Sequence, residues 1–117
     1  MTFLENKFIK KQIGEKRFGV YPTILTSESP DLLGKTYLTQ SENFILVKDI
    51  TDGEIILNNL VTQHIVIKCL GRIVVKPLNN KIDDDYDEIE LGKGSCVEFF
   101  LVDGSWYIIS SDGLKQS

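Results

Sequence analysis

Cys96-Val97-Glu98-Phe99-Phe100-Leu101-Val102-Asp103-Gly104-Ser105-Trp106-Tyr107-Ile108-Ile109 is the stretch on which the fold turns. Two runs rich in β-branched and aromatic residues flank Asp-Gly, the dipeptide that supplies the positive φ angles of a tight hairpin turn. The spacing predicts two antiparallel strands around residues 103–105. Val97, Phe99 and Leu101 alternate along one face, which predicts that this face is buried. Glu98 points the other way, yet Phe100 and Val102 share its side, so the second face is predicted to be partly covered by another sheet or another subunit.

Upstream, the same chemistry recurs in shorter pieces. Ile89-Glu90-Leu91 reads as a strand ahead of a Gly92-Lys93-Gly94 turn, and residues 64–70 and 72–76 read as strands divided by Gly71, at a tight bend or a bulge. Phe44-Ile45-Leu46-Val47-Lys48-Asp49-Ile50 runs into Thr51-Asp52-Gly53, which predicts a second hairpin with residues 54–57 returning across the first run. Residues 1–35 differ. Phe3, Phe8, Ile9 and Ile13 recur at roughly helical spacing among lysines, while Tyr21-Pro22 and Ser29-Pro30 favour extended chain. The expected fold is all-β: a small antiparallel β-sandwich or barrel-like domain over residues 36–117, with an N-terminal arm over 1–35 that carries a short strand or a helical turn. Phe3, Phe8, Ile9 and Ile13 are the arm's candidate attachment residues.

The chain's 117 residues suffice for one hydrophobic core, and its 42% hydrophobic and 26% charged residues place it among folding sequences rather than disordered ones. No apolar run approaches the roughly 18 residues of a membrane span, and the first residues do not form a secretory signal, so cytosolic synthesis without a membrane partner is expected. A net charge of −4 argues against a polyphosphate partner. The cations Lys7, Lys10, Lys11, Lys16 and Arg17 gather in the first segment, where they suit solvent or a protein partner. Cys69 and Cys96 lie in separate apolar stretches and are expected as free thiols; whether they approach each other stays open.

No catalytic set is visible. His64 is the single histidine and reads as a structural residue at a strand edge, since nucleophilic catalysis needs a base, a nucleophile and an orienting group converging on one site. Gly92-Lys93-Gly94-Ser95 lacks the first glycine and the Ser or Thr of a phosphate loop and reads as a turn. Asp83, Asp85 and Asp87 alternate in a run that could offer oxygens to a hard cation, but the EF-hand positions for glycine and glutamate hold Glu88 and Gly94, and a solvated loop is the simpler reading; no cofactor is expected. Trp106, Tyr107 and Tyr86 are the candidates for stacking on a sugar ring, against the plainer expectation that an aromatic following a hairpin turn closes the core.

The stretch from Gly94 to Ser110 resembles the ending of small β domains in tail-fibre, baseplate and head-fibre proteins of tailed phages, with its Asp103-Gly104 turn and Trp106-Tyr107 strand. The likeness extends back over about residues 36–111, through the Ile-x-Ile-Lys pattern of Ile65-Val66-Ile67-Lys68, the proline-ended run to Pro77, and Ile82-Asp83 before a polar loop. Leu57-Asn58 replaces the family's frequent Leu-Pro, and Cys96 stands where small or polar residues are usual. The resemblance implies a non-enzymatic virion structural protein, a homotrimer bound to other virion proteins, assembled in the host cytoplasm. The alternative is a receptor- or glycan-binding module that uses the exposed aromatics and the acidic loop.

Overall fold

The structure, a computed structural model, describes residues 22–29 and 35–114. These residues form no helix. Their strands are β1 (Pro22–Leu25), β2 (Thr36–Leu38), β3 (Phe44–Val47), β4 (Glu54–Leu57), β5 (His64–Cys69), β6 (Ile73–Pro77), β7 (Ile89–Leu91), β8 (Cys96–Val102) and β9 (Ser105–Asp112). They make two mixed sheets, one in the order β1-β3-β5-β8-β9 and one in the order β2-β4-β6-β7.

The chain crosses from one sheet to the other after each of its first five strands, and each strand from β3 to β6 lies parallel to the strand two before it. Pro22 pairs with Phe44 and Phe44 with Val66, while in the other sheet Thr36 pairs with Glu54 and Glu54 with Val74. The path is thus a coil of roughly twenty residues per turn, a solenoid-like period. Antiparallel pairing enters only at the end, where β7 joins β6, β8 joins β5 and β9 joins β8.

This corrects the expectation of an antiparallel domain in one respect and meets it in another. Thr51-Asp52-Gly53 does not close a hairpin: β3 and β4 lie in different sheets, and the segment between them is a corner with Ile50 buried inside it. Alternation of buried and half-buried residues is the same in a hairpin as in a coil, so it predicts strands and faces without naming the neighbour. Gly71 is likewise a corner, between β5 and β6. A Cβ there would overlap the carbonyl oxygen of Ile50, because the two corners stack backbone on backbone, with Leu70 N donating to Val47 O and Arg72 N to Ile50 O at 2.7 Å each.

The final hairpin forms as its sequence predicts. Asp103 and Gly104 both take positive φ, 50° and 82°, the conformation of a two-residue turn whose twist matches that of its strands. A register shift between Glu98 and Phe99 makes Ile109 an extra residue on β9, since Phe99 pairs with Ile108 but Glu98 with Ser110.

Inward residues of both sheets belong to a single core cluster that includes Leu25, Ile45, Ile55, Ile67, Val75, Leu91, Phe99 and Trp106. β1 therefore belongs to the sheet although it falls inside the stretch expected as an arm, and its Leu25 is buried. Phe3, Phe8, Ile9 and Ile13 lie outside the described residues.

Candidate functional site

The acidic loop is held against the edge of β9. Asp83 N donates to Trp106 O at 3.0 Å, and Asp83 Oδ1 accepts from Ile108 N at 2.9 Å, so this one residue satisfies both an acceptor and a donor of the edge strand. Asp83 and Asp84 adopt φ of 55° and 59°, and Ile82 and Tyr86 form a bridge that closes the loop. The Tyr107 hydroxyl donates to both oxygens of Asp84, at 3.1 and 3.2 Å; that hydrogen bond, then desolvation, raises the phenol's pKa above its ordinary value. Lys81 Nζ lies 2.9 Å from Asp87.

Of the three carboxylates considered for a cation, Asp83 is engaged with backbone and Asp87 with a lysine. Among the described residues no group of three or more His, Cys, Asp or Glu is placed to hold a metal ion. Trp106 is fully buried, edge-on to Phe99 with ring centroids 6.4 Å apart. It lies on the inward side of β9, which takes it out of any exposed sugar platform; Tyr86 and Tyr107 remain on the surface beside Asp84.

A second cluster lies on the outer side of the five-stranded sheet. His64 Nε2 meets Glu98 Oε2 at 2.6 Å, Ser110 Oγ donates to Glu98 Oε1 at 2.9 Å, and the imidazole stacks on Phe100 at 4.4 Å between centroids. Hydrogen bonds from His64 and then Ser110 hold the Glu98 carboxyl below its ordinary pKa. Serine and histidine meet the carboxylate from its two oxygens rather than meeting each other, so this arrangement does not activate a serine nucleophile. Around it the surface is apolar: Ile24, Phe100, Val102 and Ile109 are 56%, 41%, 52% and 50% exposed, with Phe44, Leu46 and Val66 half-buried between them. Sequence reading found the hairpin's share of this surface but not that of β1 and β3. The available signal was the unbroken apolar run at 44–47, which reads as a strand covered on both faces.

On the side of the β3–β4 corner lies a cleft of about 250 Å³, lined by Ser27, Lys35, Asp49, Ile50, Thr51, Asp52 and Gly53. Its charges are matched locally. Asp49 accepts from Ser27 N at 2.8 Å and Ser27 Oγ at 3.2 Å, with the backbone bond the larger cause of its lowered pKa; Asp52 lies 2.6 Å from Lys35 Nζ. Cys69 is buried, its thiol pushed up by desolvation, and both it and the half-buried Cys96 are free. No helix among the described residues is long and apolar enough to cross a membrane. No family model matches the sequence, and no curated protein matches it.

Proposed function

We propose that this chain is a non-enzymatic structural and assembly protein of a tailed-phage particle, a tail, baseplate or head-fibre component, in which the two sheets close as a small sandwich or barrel-like domain. It associates with itself, as a homotrimer, and binds other virion proteins through its N-terminal residues. One observation carries the reading: Ile24, Phe100 and Val102 stand exposed on the outer surface of the five-stranded sheet, beside a His64–Glu98–Ser110 cluster that does not line up a nucleophile with a base. The resemblance of residues 94–110 to phage virion domains supplies the biological setting.

Absolute mass in solution by light scattering tests it. A mass near three times 13.3 kDa is expected, and a monomer at all accessible concentrations overturns the assembly reading. The glycan-binding alternative rests on the exposed Tyr86 and on the half-buried Tyr107, whose hydroxyl reaches Asp84. Glycan-array binding by the native chain that disappears in a folded Tyr86→Ala variant would favour it.

A further inference from the structure

On the face of the five-stranded sheet turned away from the core, Pro22, Phe44 and Val66 form one row across β1, β3 and β5, and Ile24 and Leu46 form the next. Phe100 continues the surface on β8, opposite His64 of β5. Ile24, Phe100, Val102 and Ile109 each leave about half of a large side chain in solvent, roughly 400 Å² together. With the half-buried Phe44, Leu46, Val66 and Tyr107 the surface comes to roughly 600 Å², most of the about 800 Å² that each partner contributes to a standard stable interface.

Its charges are suited to being covered. Glu98 is already met by His64 and Ser110, so its carboxylate keeps hydrogen-bond partners when the face is covered, while Lys68 Nζ donates to Gly94 O at 3.0 Å. A largely apolar surface whose carboxylate is already hydrogen-bonded needs no charged counterpart, so the same surface of other copies can cover it around a rotation axis. We infer that a second copy of this chain packs on the outer face of the five-stranded sheet, on the rows of Ile24, Leu46, Phe44, Val66 and Phe100. This rests on the assembly reading for the identity of the partner and adds to it the face that is used.

The test compares two double variants by light scattering, with circular dichroism as a check on folding. Ile24→Ser with Phe100→Ser alters the proposed face, and Leu38→Ser with Ile56→Ser alters the outer face of the four-stranded sheet. The first is expected to be a folded monomer, and the second to keep the native mass. A native mass in the first variant overturns the inference and leaves the assembly reading standing, whereas a monomeric native chain overturns both. Should the first variant fail to fold, Ile24→Cys in a Cys96→Ser background asks the same question through thiol labelling. Labelling is expected to slow as concentration drives association, and a rate indifferent to concentration overturns the inference.

Discussion

On the outer face of the four-stranded sheet, Lys76 lies 3.0 Å from Glu54 and 4.0 Å from Glu88, Thr36 donates to Glu54, and Arg72 reaches Glu90 at 2.5 Å. On the outer face of the five-stranded sheet, one His64–Glu98–Ser110 cluster stands among Ile24, Phe44, Leu46, Val66 and Phe100. The inward faces contribute to one core and are alike in chemistry. The outward faces are therefore where the two sheets part company. Cross-strand ion pairs at a solvated surface contribute little to stability, but they keep that surface in water; an apolar face gains free energy only when something covers it. Two sheets built from one winding chain thus expose one face where ion pairs run between Leu38, Ile56 and Val74 and one where apolar side chains surround a single polar cluster.

That comparison requires that the faces differ only outwardly, and the most disruptive test of it lies in the shared interior. Trp106→Ala should cost about 3–5 kcal/mol, as deletion of a fully buried indole does, and should weaken the fold regardless of oligomeric state. Denaturant unfolding measures it. A near-neutral result would place the indole on a surface after all and reopen the sugar-stacking reading.

Next in size is Gly71→Ala. The new methyl group would meet the Ile50 carbonyl oxygen, a backbone atom that can yield only if the stacked corners part. A loss of about 2–4 kcal/mol is expected, within the range for steric and backbone strain at a special position. Thermal melting at matched concentration reads it. Because this corner carries the chain from β5 to β6, a folded but rearranged variant would show that the two faces need not belong to successive strands of one coil.

The strands themselves were legible because side-chain alternation and turn residues act locally: the Asp103-Gly104 hairpin and the strand at 89–91 both stand where the sequence puts them. Partner choice was not legible. Phe44–Val47 and Glu54–Leu57 alternate identically, and Asp52-Gly53 suits a tight hairpin as well as an abrupt corner. Only the recurrence at about twenty residues distinguishes a coil from a meander, and no fixed motif marks it in this sequence. The outer apolar face was half visible for the same reason. Phe100 and Val102 announced it on β8, but Ile24 and Leu46 join the same face only through parallel pairing across β1, β3 and β5.

The smallest expected effect separates the two faces by pH. Glu98 has a lowered pKa in the folded chain, so its favourable interaction is fully present above the ordinary carboxylate range and fades as pH falls through the lowered value. Lys76 has a raised pKa, chiefly through its hydrogen bond to Glu54; its contribution is fully present below the ordinary lysine range and is lost as pH rises through the raised value. Acid should therefore erode the contribution of Glu98 on the five-stranded sheet, and alkali that of the Lys76 ammonium on the four-stranded one. Melting curves of Glu98→Gln and Lys76→Met against the native chain test this directly. The Glu98→Gln deficit, under about 1 kcal/mol for a pair this open to solvent, should be present at neutral pH and vanish in acid. The Lys76→Met deficit should be present at neutral pH and be lost as pH rises through the raised value. A Lys76→Met deficit that survives unchanged in alkali would show that the ammonium charge is not what this side chain contributes to the four-stranded sheet, and the outer faces would then differ in packing rather than in charge.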